Sequence, residues 1–230
     1  MTSKAVIVFL KAPETGRVKT RLSQSLNTTF VLDLYKGFVV DTLDVLESAQ
    51  DTFLYVWPPG KAEALQKWLG SQYLFCPQQG EDLGQRMGNA FADIFKRGYD
   101  AALLVGTDIP ELTPALISRA ETALQTTDAV IGPSSDGGYY LIGFQKSGFS
   151  TSVFKDIDWS TPAVLDQTRQ AMNHLSLRYE LLTEMDDIDT PEDLNALMAR
   201  VKKGGTIGMQ TLKVLTLYAD GYIHYHTGIK

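Results

Sequence analysis

Short apolar segments alternate with amphipathic segments of helical spacing along most of this chain. The first apolar segment, residues 5–10, is continuous and rich in β-branched residues, which is typical of a strand buried on both faces. The same pattern predicts further strands at 52–57, 73–76, 101–105, 129–132, 139–144 and 177–182. Helical spacing predicts helices at 28–48, 61–69, 83–97, 113–125, 160–174 and 191–201. Strands linked by helices form right-handed crossovers, so we expect an α/β fold with a mostly parallel sheet and ligands at the carboxyl ends of its strands.

Composition limits the class of protein. Hydrophobic residues make up 44% and charged residues 21% of the 230 residues, as in an ordinary globular chain with a packed core. The formal net charge of −6 provides no general basic field that would attract nucleic acid. Cys76 is the only cysteine, which excludes an intramolecular disulfide, and no apolar stretch approaches the roughly 20 residues of a membrane span. We therefore expect a cytoplasmic protein with no nucleic-acid partner and no membrane span.

A basic segment follows the first predicted strand directly. It supplies four cations and a hydroxyl, from Lys11, Arg17, Lys19, Arg21 and Thr20. Gly16 allows a positive φ or a close backbone approach within it. Cations at the carboxyl end of a strand suit a di- or triphosphate, because arginine offers forked donors and lysine a point charge. A solvated basic loop is the alternative that composition leaves open.

Two aspartates are candidate metal ligands. Asp108 follows the predicted strand 101–105 and therefore lies at the same edge of the sheet as the basic segment. A carboxylate there can hold Mg²⁺ or Mn²⁺, which take oxygen ligands and bridge phosphates. Asp189 precedes a predicted helix and is a candidate second ligand. The alternatives are structural: Asp108 starts a turn before Pro110, and Asp189 or Thr190 caps the helix.

Two further segments are candidates for substrate contact. Asp136 lies in a polar, glycine-containing loop between two strands, where it could bind substrate hydroxyls or act as a base. Segment 78–87, which contains Asp82 and Arg86, opens a helix and offers amides to a nucleobase, ribose or phosphate. A simple wide turn at Asp136 and a helix N-cap at Asp82 are the alternatives.

The last segment of the chain has a different residue pattern. Residues 212–218 and 222–226 flank the turn-forming pair Asp220-Gly221, which predicts a β-hairpin. We therefore divide the chain into a main domain of residues 1–203 and a β-hairpin appendage of residues 204–230. The hairpin is a candidate pairing edge for a homodimer.

Six motifs together resemble one superfamily. In chain order they are KAPxxGRVKTRL (11–22), GxDLGxRM (80–87), GTDxP (106–110), DGGYY (136–140), WSTP (159–162) and DIDTPED (187–193). The chain is similar to the GT-A-like nucleotide-diphospho-sugar transferases. Within that superfamily it resembles a bacterial glycosyltransferase family formerly classed as a domain of unknown function. The resemblance implies a Rossmann-like, three-layer α/β/α sandwich of the GT-A type over residues 1–203.

The resemblance also implies roles for particular residues. Asp108 matches the metal-binding aspartate of the superfamily, and Asp189 matches a second metal ligand of its nucleotidyltransferase relatives. Lys19 and Arg21 match phosphate-binding positions, and the loop of Asp136 matches the acceptor or sugar side. The implied cofactor is Mg²⁺ or Mn²⁺.

The expected activity is metal-dependent sugar transfer from a nucleotide-diphospho-sugar to a small-molecule acceptor. Lys19 would assist the leaving diphosphate electrostatically, and Asp136 would orient or deprotonate the acceptor. The first alternative is a guanylyltransferase-like nucleotidyltransferase that uses a nucleoside triphosphate and a phosphorylated acceptor. The Lys19-Thr20-Arg21 sequence resembles such relatives. The GTDxP motif departs from glycosyltransferases, because it keeps only one carboxylate of their common Asp-x-Asp motif. The second alternative is a non-catalytic nucleotide-binding protein.

Overall fold

The structure, a computed structural model, describes residues 3–47 and 51–226, with side chains up to residue 218. Within these ranges one sheet contains seven strands. They are β1 (Lys4–Lys11), β2 (Thr52–Trp57), β3 (Leu74–Pro77), β4 (Ala101–Val105), β5 (Ala129–Pro133), β6 (Tyr139–Gln145) and β7 (Tyr179–Leu181). Every predicted strand of the main domain is confirmed, with bounds that differ by no more than a few residues.

Eight α-helices lie in the described part of the chain. They are α1 (Thr20–Ser23), α2 (Thr28–Leu46), α3 (Ala62–Leu69), α4 (Leu83–Lys96), α5 (Pro114–Ala123), α6 (Val164–His174), α7 (Pro191–Lys202) and α8 (Met209–His226). A 3₁₀ turn at Thr151–Phe154 and the short α1 were not predicted from the sequence. None of these helices combines the length and hydropathy needed to span a bilayer.

The strand order is β3-β2-β1-β4-β6-β5-β7. The pairs β1–β2, β1–β4, β2–β3 and β5–β7 are parallel, whereas β6 is antiparallel to both of its neighbours, β4 and β5. The carboxyl ends of the parallel strands therefore meet the amino end of β6 at one edge of the sheet. The predicted mostly parallel α/β sheet is confirmed.

Helices cover both faces of the sheet. Alternate residues of β1 show this, because Val6 and Val8 pack in one cluster with α2 and α5, whereas Ala5 and Ile7 pack in the other with α4 and α6. All four side chains are almost completely buried, and each cluster contributes apolar burial of the kind that drives folding. The predicted three-layer α/β/α sandwich is thus confirmed.

The predicted C-terminal hairpin is wrong, because the segment forms α8. Thr211, Leu215 and Tyr218 recur at helical spacing, and the Tyr218 ring stacks on Phe30 of α2 with 3.8 Å between centroids. The turn-forming pair that suggested a hairpin is overridden by an apolar face that α2 offers to a helix. Residues 227–230 of the predicted hairpin lie outside the described residues, and the boundary at residue 203 stays a prediction.

The carboxylate of Asp41 holds the start of α8 against α2. It accepts hydrogen bonds from the backbone N–H groups of Gln210 and Thr211 at 2.9 and 2.8 Å. These N–H groups lie in the first turn of α8 and have no partner within the helix, and Asp41 itself is only 5% exposed. A Cβ atom at Gly208 would collide with this carboxyl, so glycine is required for the close approach.

We predict that Asp41→Ala destabilises the protein by about 1–3 kcal/mol, because two buried N–H groups lose their acceptor. Urea unfolding followed by circular dichroism would measure this cost. Asp44→Ala is the matched control, since Asp44 lies on the exposed side of α2 and its side chain makes no hydrogen bond to the described residues. An equal effect of the two substitutions would contradict the capping role.

Candidate functional site

The candidate site lies where the strand order reverses. Strands β2 and β3 follow β1 on one side, and β4 lies on its other side, so the loops after β1 and β4 leave the sheet in different directions. Such a switch point leaves a crevice at the carboxyl ends of the strands. Three segments meet there: the basic segment after β1, the loop after β4 and the segment between β7 and α7.

A cavity of about 630 Å³ fills this crevice, a volume within the range of small-molecule sites. Five of the predicted nucleotide-binding residues line it: Lys11, Lys19, Thr20, Arg21 and Arg86. Both predicted metal ligands, Asp108 and Asp189, line it as well. Parallel strands thus bring together residues that are up to 178 positions apart in the sequence.

The Lys19 side chain is paired with Asp108 and Asp189 and is not free in the cavity. Its Nζ is 2.5 Å from Asp108 Oδ1 and 2.8 Å from Asp189 Oδ1, and its side chain is 4% exposed. The backbone of Lys19 is left-handed, with φ 46°, which is uncommon for a residue other than glycine. A backbone hydrogen bond of 3.1 Å from Ile188 N–H to the Asp108 carbonyl joins the two aspartate loops. The ammonium therefore connects three loops at one point.

The positive charge of Lys19 and the negative charges of Asp108 and Asp189 stabilise one another. Burial alone lowers the pKa of Lys19, but the nearby charges of Asp108 and Asp189 and their hydrogen bonds raise it above its ordinary value. Burial likewise raises the pKa of Asp189, but the charge and hydrogen bond of Lys19 outweigh it and hold that pKa below its ordinary value. Lys19 is therefore a cation and Asp189 an anion at neutral pH.

The donors present fit a divalent cation that is shared with a substrate. The Oδ2 atoms of Asp108 and Asp189 have no hydrogen-bond partner among the described residues, and these side chains are 47% and 39% exposed. Among the described residues, no group of three His, Cys, Asp or Glu side chains could hold a metal ion by itself. One or two carboxylates are nevertheless the usual protein share of a Mg²⁺ site that substrate phosphates complete. Their role as metal ligands stays a prediction.

A second cavity of about 350 Å³ adjoins the first. Asp108 and Asp189 line both cavities, and Asp136, Asp187 and Trp159 line only the second. Asp136 Oδ1 accepts hydrogen bonds from the Ser134 hydroxyl at 2.5 Å and from the Gly138 N–H at 2.8 Å. These bonds fix the carboxyl in the loop and leave its Oδ2 without a partner among the described residues. The predicted catalytic aspartate therefore lies beside the predicted metal ligands.

Asp187 was not predicted as a site residue. Burial, with the charges of Asp136 and Asp189, raises its pKa to about 6, although Lys19 acts in the opposite direction. The sequence signal was its spacing of two residues from Asp189, which places carboxylates near each other in an extended segment. Thr190 caps α7 in a capping box with Asp193, so Asp189 itself is not the cap.

Trp57 is also a site residue that the sequence did not indicate, and it lies at the site with Gln78, the first residue of the predicted segment 78–87. The guanidinium carbon of Arg86 lies 3.6 Å from the centroid of the Trp57 ring, and Arg86 donates to the carbonyls of Gly80 and Glu81. The Gln78 amide donates to the Tyr55 carbonyl at 2.9 Å. Both Trp57 and Gln78 line the first cavity, beyond β1 on the side away from Asp108. No motif distinguishes Trp57, because only the strand order brings it to this edge.

Two predicted nucleotide-binding residues do not line either cavity. Arg17 points to solvent with 80% of its side chain exposed, and its Nε lies 3.6 Å from Glu14 Oε2. Asp82 is the N-cap of α4 and accepts from the Gln85 N–H at 2.7 Å, which is the structural alternative for this residue. The Gly16 φ of 71° confirms that this part of the basic segment needs a positive φ. The turn at Gly16 leaves Arg17 on the outer side, so charge alone did not indicate which cations face the cavity.

Comparison with known proteins identifies the family. Residues 42–161, just over half of the chain, match the family described as uncharacterized protein conserved in bacteria (DUF2064). The chain belongs to this family. A search of curated proteins found no match.

Solved structures show the fold of this DUF2064 chain. A protein from Desulfovibrio desulfuricans G20, provisionally assigned as a nucleotide-diphospho-sugar transferase, is 36% identical over 96% of each chain, with a TM-score of 0.89. CMP:2-keto-3-deoxy-manno-octonic acid synthetase complexed with CTP is 10% identical over 88% of this chain and 100% of that one, with a TM-score of 0.52. Rv0371c in complex with manganese, from Mycobacterium tuberculosis H37Rv, is 16% identical over 86% and 99%, with a TM-score of 0.53. The chain therefore has the nucleotide-diphospho-sugar transferase fold, which confirms the resemblance.

We predict that Asp187→Asn stabilises the metal-free DUF2064 chain at pH 7 by about 1–2 kcal/mol, after allowance for solvent screening. The folded-state pKa of about 6 exceeds the ordinary value of 3.8, so the folded protein binds more protons between these values. Wild-type stability therefore falls as pH rises through this range, and the variant lacks that fall. Urea unfolding with EDTA at pH 4 and pH 7 would measure the difference. A gain of the same size at both pH values would contradict the assignment.

Proposed function

We propose that the protein is a metal-dependent glycosyltransferase that moves a sugar from a nucleotide-diphospho-sugar to a hydroxyl of an acceptor without a phosphate group. The observation that carries the proposal is the contrast between two adjoining cavities. Cations line the first cavity, and carboxylates line the second. Asp108 and Asp189 belong to both, so they lie where the reacting groups of two substrates would meet.

The first cavity suits the donor. Lys11 and Arg21 offer positive charge for the two phosphates, and Arg86 with Trp57 offers flat surfaces at the far end. A divalent cation on Asp108 and Asp189 would neutralise the charge that develops on the leaving diphosphate. Two structures of the same fold hold ligands of the kinds proposed here, a nucleotide (CTP) in one and a divalent metal (manganese) in the other. The name of the 36% identical relative supports the same donor class.

The second cavity suits the acceptor. The free Oδ2 of Asp136 can accept a hydrogen bond from an acceptor hydroxyl, and it can take the proton as the oxygen attacks the sugar carbon. The ring of Trp159 offers an apolar wall for the ring of a sugar or another small molecule. In this assignment Asp136 deprotonates or orients the acceptor, while Lys11 and Arg21 hold the donor.

Nucleotidyl transfer is the second candidate, favoured by the likeness of the fold to a synthetase that is complexed with CTP. In its guanylyltransferase-like form it would place a phosphorylated acceptor next to the nucleoside triphosphate. Among the described residues that line the second cavity there is no lysine or arginine, whereas four are aspartates. A phosphate placed there would meet like charge, so the lining supports sugar transfer over nucleotidyl transfer to a phosphorylated acceptor.

We predict that purified protein with Mn²⁺ or Mg²⁺ hydrolyses or transfers from at least one member of a nucleotide-sugar panel, with release of a nucleoside diphosphate. Asp108→Asn should lower kcat by about 100- to 1000-fold, because it removes a carboxylate from the proposed metal site. Asp186→Asn is the matched control, since Asp186 pairs with Arg200 and lines neither cavity. Sugar transfer fails as a proposal if no nucleotide sugar reacts and pyrophosphate is released from a nucleoside triphosphate instead.

We predict that Asp136→Asn lowers kcat for transfer by at least about 100-fold and leaves the dissociation constant of the donor within about threefold, because the residue contacts only the acceptor side. Turnover measured against donor binding by calorimetry would separate the two effects. Neutral acceptors should also outcompete their phosphorylated analogues in wild-type protein. A preference for the phosphorylated analogue would contradict the assignment of the second cavity to an acceptor without a phosphate group.

A further inference from the structure

Lys19 differs from the other cations of the site in what surrounds it. Its ammonium contacts the Oδ1 atoms of both Asp108 and Asp189 and lies 5.7 Å from the centroid of the buried Phe38 ring. The other oxygen of each aspartate remains without a partner among the described residues. The lysine side chain is 4% exposed, whereas Asp108 and Asp189 are 47% and 39% exposed and line both cavities, so the carboxylates are far more open to a ligand than the ammonium.

This placement changes the charge of the pair. Two carboxylates alone carry a charge of −2 and would attract a divalent cation strongly at short range. The buried ammonium cancels half of that charge and, being only 4% exposed, is poorly screened by solvent. A second cation bound to the Oδ2 atoms would have Lys19 a few ångströms behind it. Free metal is therefore repelled by the same residue that keeps the two carboxylates together.

We infer that Lys19 is a built-in counter-ion that weakens the binding of free divalent cations to Asp108 and Asp189 and makes metal binding depend on the diphosphate of the donor. The inference rests on the proposed metal site. A diphosphate adds oxygen ligands and negative charge in front of the pair, where Lys11 and Arg21 already line the cavity. Metal and diphosphate then bind together, and neither binds tightly without the other.

Lys19 is in this role a positioning residue and not a phosphate ligand. The sequence predicted a direct contact with phosphate, but the ammonium is paired with two carboxylates and its side chain is only 4% exposed, which leaves little of it open to a phosphate. Its charge acts on the donor through the metal ligands.

Titration calorimetry of metal-free protein with Mn²⁺ at pH 8, without nucleotide, tests the inference. Lys19→Met keeps an unbranched side chain that is one atom shorter and removes its charge, and we expect it to raise the affinity for Mn²⁺ by about tenfold or more. Arg86→Met is the matched control, because Arg86 lines the same cavity but stacks on Trp57, away from the carboxylates. It should change the affinity by less than about twofold. An unchanged or lower affinity in folded Lys19→Met overturns the inference.

Wild-type protein provides a second measurement that does not depend on the folding of the variant. We expect Mn²⁺ alone and inorganic pyrophosphate alone each to raise the melting temperature only slightly, and the two together to raise it by more than the sum. Additive shifts overturn the inference. If Mn²⁺ binds under none of these conditions, to either protein, the proposed metal site fails first. If Mn²⁺ binds tightly to wild-type protein alone, the metal site stands and the counter-ion role fails.

Discussion

The ion cluster of Lys19 with Asp108 and Asp189 joins the three loops on which the site depends. Each loop leaves a different strand, and the three residues are far apart in the sequence. Without the ammonium or another cation in its place, two neighbouring carboxylates would repel each other. Without the carboxylates, a lysine with 4% exposure would be an unpaired buried charge. Each member is therefore stable in its position only because the others are present.

The sheet explains why the charges of the site are divided between two cavities. On one side of β4, strands β1, β2 and β3 end in segments that carry lysine, arginine and an aromatic ring. On its other side, β6, β5 and β7 bring the Asp136 loop and Asp187 to the same edge, because β6 runs antiparallel and starts where its neighbours end. One strand order thus sets a cationic cavity beside an acidic one, with Asp108 at their boundary.

Most of the fold could be predicted from the sequence, because burial on two faces of a parallel sheet leaves continuous apolar strands separated by amphipathic helices. The exception is α8. Its residues include Asp220-Gly221, which is typical of a turn. What decides for a helix is a contact with α2, where Asp41 accepts hydrogen bonds from the first turn and Phe30 stacks on Tyr218. No pattern within the sequence of α8 itself indicates that contact.

The sequence by itself determined which segments reach the site edge, because a segment that directly follows a strand of predicted direction must begin at that edge. On this ground Lys11, Arg21 and Asp108 were predicted, and the structure places all three at one cavity. Only the tertiary structure decided which way each side chain faces. In the structure Arg17 faces solvent, Asp82 caps α4, and Lys19 is paired with the carboxylates. The physical reason is that the direction of a side chain depends on charge pairing and burial between segments far apart in the chain. The residue spacing within one segment carries no information about such contacts.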